Sequence, residues 1–383
     1  MNRTQGAGLV DRALSVLRSH PFLEPGSRVL AAMSGGVDSS VMAALLHHGG
    51  FQVIGVSMQL FDKTKGGTTP ETEGKCCTLD DFQDARRVAY DIGFPHYVVD
   101  FEQRFRDTVI EEFIEGYLSG ETPSPCIRCN QHVKFKTLVE RADALGAAFV
   151  ATGHYARVTH DGSGFHLLKA SDPAKDQSYF LFHHTQETLA RTLFPLAEFT
   201  KPEVREMGRE LGLHLAEKAE SQEICFVTQK RYDLYIEEAG RAPEAGTGPI
   251  RHLDGRVLGT HEGYWRYTVG QRKGLGVAFS LPLYVLKVDR ETNTVWVGND
   301  EELFGTELMV REVSWCGAVP VHPLPCTAKI RSRSTEAEAI VIPLDGSHAK
   351  VAFAEPQRAI APGQAVAFYQ GEEVLGGGWI TEA

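Results

Sequence analysis

The segment Ala32-Met33-Ser34-Gly35-Gly36-Val37-Asp38-Ser39-Ser40 decides the fold of the first part of this chain. It follows a hydrophobic run over 29–33 that is typical of a buried strand, and it precedes an apolar helical run over 41–46. A loop of small residues between a strand and a helix directs backbone N–H groups at a bound phosphate. The two glycines let the backbone approach the anion, and Asp38 can bind Mg²⁺. The segment therefore predicts a nucleotide-binding α/β domain.

The pattern Ser-Gly-Gly-x-Asp-Ser-Ser over 34–40 resembles the PP-loop of ATP pyrophosphatases. Those enzymes transfer an adenylyl group from ATP to an oxygen of the substrate and release pyrophosphate. The segment is not a Walker loop, because no Gly-Lys-Ser/Thr follows the glycines. An ordinary glycine turn between a strand and a helix is the alternative interpretation.

Length and composition indicate a globular protein of several domains. A chain of 383 residues is too long for one ordinary core, so we expect about two or three domains. Neither a stretch long enough for a membrane helix nor a signal-peptide pattern occurs, which predicts a cytoplasmic location. The seven cysteines are an odd number, which argues against a disulfide scaffold and favours redox, metal-binding or nucleophilic roles.

The charge pattern gives two opposing indications about a nucleic-acid partner. A net charge of −11 argues against such a partner. However, residues 123–138, 263–288 and 326–335 contain lysines and arginines but no acidic residue. We expect these three segments to form a local basic surface, which is sufficient for binding phosphates. Ordinary solvated surface is the alternative.

The order of hydrophobic runs predicts an α/β fold followed by an all-β region. Strand patterns alternate with helix patterns in the first half, which predicts a doubly wound, Rossmann-like parallel sheet with ligands at the carboxyl ends of its strands. The strands are expected at 29–33, 52–58, 96–101 and 149–155, and the helices at 41–47, 79–92, 104–118 and 133–145. A hairpin is expected over 157–169, and a capped helix from Thr200 to about residue 211.

After Pro282 the pattern changes to short runs with β character separated by turn residues. Such a series is typical of a small β-barrel. The expected strands cover residues 284–288, 294–297, 326–332, 337–342, 349–353 and 365–369.

Three cysteines are candidates for chemistry. Cys126 and Cys129 form a Cys-x-x-Cys pattern in a proline-rich loop. A helix beginning near Asn130 would place its positive end close to Cys129, and Arg128 adds a charge beside it. Both effects favour the nucleophilic thiolate. With Cys225 as a second thiol, a sulfur-transferring enzyme could carry sulfur as a persulfide on one cysteine and release it with the other.

Three other interpretations of these cysteines remain open. Cys126, Cys129 and His132 have the spacing of zinc ligands. Cys126, Cys129 and Cys225 could bind three irons of a 4Fe-4S cluster and leave the fourth iron accessible. The cysteines could also be small apolar residues of the core.

Seven segments together resemble the bacterial tRNA-specific 2-thiouridylase family. They occur in one order along the chain: Ser-Gly-Gly-Val-Asp-Ser-Ser (34–40), Thr-Pro-Ser-Pro-Cys-Ile-Arg-Cys-Asn (122–130), Thr-Gly-His-Tyr-Ala-Arg (152–157), Lys-Asp-Gln-Ser-Tyr-Phe-Leu (175–181), Ser-Gln-Glu-Ile-Cys-Phe (221–226), Tyr-Thr-Val-Gly-Gln-Arg-Lys-Gly-Leu-Gly (267–276) and Leu-Gly-Gly-Gly (375–378). The resemblance implies a PP-loop domain over 1–215, a small central α+β domain over 216–283 and a C-terminal β-barrel over 284–383.

The resemblance also implies an activity, namely thiolation of carbon 2 of the wobble uridine in tRNAs for Lys, Glu and Gln. ATP with Mg²⁺ adenylates the carbonyl oxygen of the base, which makes this oxygen a leaving group. Cys225 matches the residue that receives a persulfide from a cysteine desulfurase or a sulfur-relay protein. Cys129 matches the nucleophile that pairs transiently with Cys225 in a disulfide bond.

The family's binding residues are carried over only at matching positions. Contacts to ATP are implied for residues 32–39, Met58 and Gly153. The target base is implied to meet the loop of Ser124, Pro125 and Cys126. Further contacts to tRNA are implied for His154, Lys175, Asp176, Gln177, Arg331, Ser332 and Gln364.

One departure from the family pattern affects the chemistry. Many members have an acid at the position of Cys126, where it is a candidate acid/base group. The cysteine leaves that role vacant or passes it to another group, and it keeps the 4Fe-4S alternative open. There are two rival interpretations. The chain could be a different PP-loop ligase with a small substrate, or a binding protein with a degenerate loop.

Overall fold

The computed structural model describes residues 8–61, 79–219, 224–227, 231–244 and 246–382. The chain forms two compact units, which are described separately. Unit 1 contains Met1–Thr108 and Cys129–Phe226, and unit 2 contains Val109–Arg128 and Val227–Ala383. Unit 2 therefore includes the short segment Val109–Arg128. This segment lies within the first domain expected from the sequence, residues 1–215.

The core of unit 1 is a five-stranded parallel sheet. Its strands are β1 (Arg28–Ala32), β2 (Gln52–Gln59), β3 (His96–Asp100), β4 (Phe149–Ala151) and β7 (Thr192–Leu193), in the order β3-β2-β1-β4-β7. The strands β5 (Arg157–His160) and β6 (Phe165–Leu168) form the expected hairpin. The α/β fold class is confirmed.

The helices of unit 1 cover both faces of this sheet. On one face, Val29 and Ala31 of β1 belong to a cluster with residues of the helices α1 (Leu9–Arg18), α2 (Val37–His48), α3 (Leu79–Ile92) and α9 (Lys201–Glu210). On the other face, Leu30 packs with Leu138 and Ala142 of α7 (Lys136–Ala144). Because the strand is apolar on both faces, its sequence is a continuous hydrophobic run rather than an alternating one.

Two expected helices differ from their sequence patterns. The helix expected over 104–118 consists of α4 (Glu102–Phe105), a π-helical segment (Arg106–Ile110) and α5 (Glu111–Leu118). The helix expected from 133 begins earlier, with α6 (Pro125–Arg128) and a π-helical segment (Cys129–Phe135) before α7. Proline suits the first turn of a helix, since its missing N–H would have no intrahelical partner there. The remaining helices are α8 (Gln186–Leu189) and α10 (Tyr232–Glu238).

Unit 2 contains a four-stranded sheet and a closed six-stranded barrel. The sheet has the order β10-β11-β8-β9, from β8 (Gly248–His252), β9 (Val257–His261), β10 (Tyr284–Asp289) and β11 (Thr294–Gly298). The barrel runs β12-β15-β14-β13-β16-β17 and closes through the pairing of β12 with β17. Its strands are β12 (Phe304–Trp315), β13 (Leu324–Lys329), β14 (Ala337–Pro343), β15 (Ala349–Arg358), β16 (Ala365–Gln370) and β17 (Glu373–Glu382).

The barrel is not built from all of the strands that the sequence pattern predicted for it. The first two expected strands after Pro282, which are β10 and β11, join the sheet of β8 and β9 instead of the barrel. The barrel is completed by β12 and β17, which the sequence pattern did not predict. Among the described residues, no helix has the length and apolar character needed to cross a membrane.

Candidate functional site

The loop between β1 and α2 has the form of a phosphate cradle. Gly35 has a φ of +74°, and a Cβ at this position would overlap the backbone of Asp81, so only glycine fits. The Ser39 hydroxyl accepts a hydrogen bond from the backbone N–H of Ser34 at 3.1 Å and donates to the carbonyl oxygen of Gly36 at 3.1 Å. These bonds hold the loop in place at the N-terminus of α2, where the helix dipole favours an anion.

Asp38, in the first turn of α2, is the acidic centre of this site. Its Oδ1 accepts a hydrogen bond from the Tyr155 hydroxyl at 2.9 Å and forms an ion pair with Lys201 Nζ at 2.6 Å. Lys201 is only 8% exposed. It was not identified from the sequence, although the Thr200 capping box that begins its helix was recognised and is confirmed. Asp38 thus lies beside the loop with Tyr155 and Lys201 as its partners.

A second lysine that the sequence analysis missed supports the cradle from outside. Lys218 Nζ donates to the Gly35 carbonyl at 3.0 Å and forms ion pairs with Asp81 at 2.8 Å and Asp84 at 2.6 Å. Burial alone would lower the pKa of Lys218, but its hydrogen bonds with Asp81 and Asp84 outweigh this effect and raise the pKa. Lys218 therefore stays charged and ties the glycine turn to α3.

The two other predicted ATP contacts lie at the same edge of the sheet. Met58 is at the carboxyl end of β2, the strand next to β1. After β4 the chain turns at Gly153, where a Cβ would lie 2.9 Å from the Ser39 nitrogen. β4 itself ends at Ala151, whereas the sequence pattern predicts an end at residue 155. The carboxyl edge of a parallel sheet is the usual ligand site of such folds.

The residues of this site fit Mg²⁺ only if ATP supplies part of the ligands. Mg²⁺ commonly binds one or two protein carboxylates together with substrate phosphates and water. Asp38 could supply the carboxylate with ATP supplying the phosphates. Among the described residues, no group of three or more His, Cys, Asp or Glu side chains could hold a metal ion on its own. The zinc and 4Fe-4S interpretations of the cysteines therefore have no support in the described part of the chain.

The environment of Cys129 differs from the sequence hypothesis. Helical structure begins at Pro125, so Cys129 lies beyond the first helical turn and not at the N-terminus of a helix. Arg128, the expected activating charge, forms ion pairs with Glu112 and Glu312, each at 2.6 Å. Cys129 therefore does not lie at the helix end that was expected there, and the charge of Arg128 is shared with two carboxylates. Cys129 is buried, whereas Cys225 is half-buried and Cys126 is exposed.

The segments that contain Cys129 and Cys225 both contact helix α4 of unit 1. The ring of Phe226, next to Cys225, packs edge-on against Phe105 of α4, with ring centroids 5.6 Å apart. Helix α4 in turn contacts the π-helical segment that begins at Cys129. None of the five described cysteines is joined in a disulfide bond. Residues 221–223 of the Cys225 motif lie outside the described residues.

The predicted tRNA contacts in unit 1 take part in one hydrogen-bonded turn. Gln177 Oε1 accepts from the Tyr155 backbone N–H at 2.9 Å, next to His154, and Asp176 accepts from Ser178 Oγ at 2.7 Å. His154 contacts Thr152 Oγ1 at 2.8 Å, and burial lowers its pKa well below the ordinary value. The structure therefore brings His154 and Gln177 together, with His154 neutral, while Lys175 is half-buried on the same turn.

One of the predicted tRNA contacts in unit 2, Gln364, is hydrogen-bonded to the segment that leads to Ser124. Gln364 Nε2 donates to the Thr122 carbonyl at 2.8 Å, two residues before Ser124. Arg331 donates to the Ala359 carbonyl, and Ser332 is exposed. Gln364 and Arg331 thus have structural roles in addition to any contact with RNA.

The three basic segments are less uniform than their sequences indicate. Arg128 is paired as described, and Arg266 forms ion pairs with Glu237 at 2.6 Å and Glu262 at 3.1 Å. In contrast, several cations of these segments have no ionic partner among the described residues: Lys136, Arg272, Lys273, Lys329 and Arg333. Lys329 is half-buried, and the other four are exposed.

Comparisons with known proteins cover almost the whole chain. Residues 27–229 match a family described as tRNA methyl transferase HUP domain, 239–299 the matching PRC-barrel domain, and 305–380 an aminomethyltransferase beta-barrel domain. A tRNA-specific 2-thiouridylase from Geobacter metallireducens is 53% identical over 359 residues, which cover 93% of this chain and 97% of the relative. The corresponding protein from Geotalea uraniireducens is 51% identical and covers 93% and 95%.

One similar solved structure is much more distant in sequence. A U34-tRNA thiolase from Methanococcus maripaludis with its [4Fe-4S] cluster is 17% identical, with a TM-score of 0.37. The match covers 59% of this chain and 68% of that one. A similarity at this level carries no argument about the sulfur chemistry of this chain.

Proposed function

The chain belongs to the tRNA-specific 2-thiouridylase family, and from this premise we propose that it uses ATP to thiolate carbon 2 of the wobble uridine in tRNAs for Lys, Glu and Gln. One observation supports the proposal above all others. The same unit combines a phosphate cradle centred on Asp38 with Cys129 and Cys225, and the segments that contain these two cysteines both contact helix α4. Adenylation of the base needs the phosphate cradle, and sulfur transfer needs the two thiols, so the reaction requires both.

The first step is activation of the base. The uracil C2 carbonyl oxygen attacks the α-phosphorus of ATP, and pyrophosphate leaves. The cradle over 34–39 binds the phosphates through backbone N–H groups and hydroxyls, with Met58 and Gly153 at its border. Asp38 would hold Mg²⁺ against the phosphates, and Mg²⁺ would offset the charge that develops there. Lys201, released from Asp38, is a second cation in reach of the same charge.

The second step is sulfur transfer, for which the cysteines are proposed to divide the work. A persulfide on Cys225, supplied by a cysteine desulfurase or a relay protein, attacks C2 and displaces AMP. The Cys129 thiolate then attacks the Sγ atom of Cys225, which breaks the S–S bond and leaves the terminal sulfur on C2. The product is 2-thiouridine, with a Cys129–Cys225 disulfide that a cellular thiol must reduce.

The base must leave the anticodon stack to reach these groups, as in other enzymes that modify bases. We propose that Ser124, Pro125 and Cys126 meet the extruded base. The remaining contacts to tRNA are proposed for His154, Lys175, Asp176, Gln177, Arg331, Ser332 and Gln364.

Two other expectations also stay predictions. They are the division into domains at about residues 215 and 283, and the cytoplasmic location.

The proposal is tested by incubating the protein with ATP, a cysteine desulfurase, cysteine and an unmodified tRNA transcript, followed by nucleoside mass spectrometry. We expect 2-thiouridine in a transcript with uridine at the wobble position and none in a matched transcript with cytidine there. Cys225→Ser should abolish the product. Turnover that survives both Cys225→Ser and Cys129→Ser would instead support a ligase with a small substrate.

A further inference from the structure

Barrel strand β12 contains a bulge where it meets the Val109–Arg128 segment of unit 2. Between Arg311 and Ser314, three residue steps along β12 lie opposite two steps along β17. Glu312, inside this bulge, has a φ of +51°, in the left-handed region that residues other than glycine rarely adopt. An extra residue changes the direction of the side chains. As a result, the neighbours Arg311 and Glu312 both contact the same segment rather than pointing to opposite faces.

Both contacts are two-pronged ion pairs. Arg311 donates to the two carboxylate oxygens of Glu121 at 3.1 and 3.0 Å. Glu312 accepts from two nitrogens of Arg128 at 2.6 and 3.0 Å. Arg128 also pairs through Nε with Glu112, and its side chain is only 11% exposed. Pairs of this kind fix orientation as well as distance.

The guanidinium of Arg128 is further confined by the barrel. It lies 4.0 Å from the centre of the Trp379 ring, where a cation–π contact favours a flat cation. Arg128, Glu312 and Trp379 border one cavity of about 330 Å³, together with Ser124 and Pro125. The loop that is proposed to meet the base is therefore next to this charged network.

The other end of the loop is attached to the barrel as well. The Thr122 N–H donates to the Pro362 carbonyl at 2.7 Å, and the Thr122 carbonyl accepts from Gln364 at 2.8 Å. Gly363 has a φ of +84°, and a Cβ there would lie 2.7 Å from Glu121 Cβ. Residues 123–127 are thus held between one attachment at 121–122 and another at Arg128.

The Leu-Gly-Gly-Gly segment, to which the proposed function gives no role, makes this arrangement feasible. A Cβ at Gly378 would lie 2.5 Å from Val310 Cγ1 and 2.8 Å from the Arg311 carbonyl oxygen. A Cβ at Gly376 would overlap the carbonyl oxygen of Ser314. The two glycines of β17 therefore give the bulge of β12 the space that it needs.

We propose that Arg128, Arg311 and Glu312 are positioning residues that hold residues 123–127 in the conformation that receives the target base. The inference rests on the proposed function, which places Ser124, Pro125 and Cys126 beside that base. Arg128 then acts through the geometry of its guanidinium, which spans Glu112 and Glu312, and not through its charge alone.

The test is single-turnover formation of 2-thiouridine with saturating ATP and tRNA, alongside the Kd for tRNA. We expect Glu312→Gln and Arg128→Lys each to slow the reaction about tenfold to a hundredfold, since small misplacements of reacting groups have effects of this size. The Kd for tRNA should change by less than about twofold, because a misplaced loop affects the transition state more than ground-state binding. Arg128→Lys keeps the charge, so its slow reaction would identify geometry as the cause.

Two further variants separate positioning from folding. Glu307→Gln is the matched control, because Glu307 lies on the same strand and pairs with Lys350 at 2.8 Å; it should react at the wild-type rate. Glu312→Gly suits the left-handed backbone but removes the carboxylate, so it should react slowly, with a Tm no lower than that of Glu312→Gln. Wild-type rates in both Glu312 variants, or a loss of tRNA affinity that accounts for the slower reaction, would overturn the inference. A wild-type protein without thiolation activity would instead overturn the proposed function.

Discussion

Asp38 and Lys201 form the contact on which the phosphate cradle most depends. Lys201 is almost fully buried, and its ammonium has exchanged water for the Asp38 carboxylate. Removing one member of such a pair leaves the other charge partly buried without its partner, which costs more than the pair contributes on its own. Tyr155 alone would then remain on Asp38 Oδ1 among the contacts described above.

We predict that Lys201→Met lowers the free energy of unfolding by about 2 kcal/mol, a value reduced for the 29% exposure of the Asp38 side chain. The variant should also raise the KM for ATP in tRNA-dependent AMP formation. Urea denaturation and a steady-state AMP assay measure the two effects. Lys350→Met is the control, because its pair with Glu307 is more exposed, and it should lose less than about 1 kcal/mol. Equal losses in both variants would contradict a special role of Lys201.

Helix α9 begins with a capping box that places Lys201 in its first turn. Glu203 Oε2 accepts from the Thr200 backbone N–H at 2.7 Å and from the Thr200 hydroxyl at 2.9 Å. The backbone hydrogen bond is the largest influence that lowers the pKa of Glu203 from its ordinary value. The folded state thus favours the charged carboxylate, and the stability gained is present above the ordinary pKa of 4.5. It is lost as the pH falls through the lower, folded value.

We predict that Glu203→Gln costs about 1 kcal/mol of unfolding free energy near neutral pH. The difference from wild type should shrink as the pH falls through the folded pKa, because the wild-type carboxyl is then protonated as well. Urea denaturation at several pH values measures this dependence. Glu206→Gln, on the exposed side of the same helix, should show little difference at any pH. A Glu203→Gln deficit that does not change with pH would contradict the argument.

The elements of unit 1 could be predicted from sequence because they are locally encoded. The strand β1 is apolar on both faces, and α3 was expected with the bounds Leu79–Ile92 that the structure shows. In contrast, β12 and β17 were missed. A bulge around Glu312 interrupts the alternation of β12, and glycines replace the side chains that would mark β17 as a strand. Contacts between strands distant in sequence decide these two elements.

The site could be predicted in part for the same reason. The phosphate cradle is one continuous segment, and its motif was sufficient to locate it. The ion pair of Arg128 with Glu312 was not foreseen, because Glu312 lies 184 positions away in the sequence. Lys201 and Lys218 were missed since a single lysine gives no signal until the fold brings it to Asp38 or Gly35.

At the scale of the whole molecule, the net charge is −11, but some cations on the surface are not neutralised by any acidic side chain that the structure describes. Arg272, Lys273 and Arg333 are exposed, and the described residues offer them no ionic partner. Other cations are already paired, as Arg256 is with Asp254. Such unpaired cations are suited to phosphate contacts on RNA.

We predict that tRNA binding weakens steeply with salt and that this dependence requires these cations. The double substitution of Arg272 and Lys273 by Gln should reduce the slope of log K against log salt by about one for each phosphate that the protein no longer neutralises. Filter binding at several salt concentrations measures the slope. Arg256→Gln, which removes a paired cation, should leave the slope unchanged. A flat salt response of the wild type would mean that the basic segments are ordinary surface.

The central claim is that ATP activation and cysteine-borne sulfur meet in one reaction on tRNA. The most direct measurement is a single turnover of iron-free protein that carries ³⁵S as a persulfide on Cys225, mixed with ATP and tRNA. We predict that one AMP forms for each labelled 2-thiouridine, and that Cys129→Ser forms AMP but releases no labelled 2-thiouridine, because the label stays bonded to both C2 and Cys225. Labelled tRNA without AMP, or transfer that occurs only after iron is restored, would contradict the account.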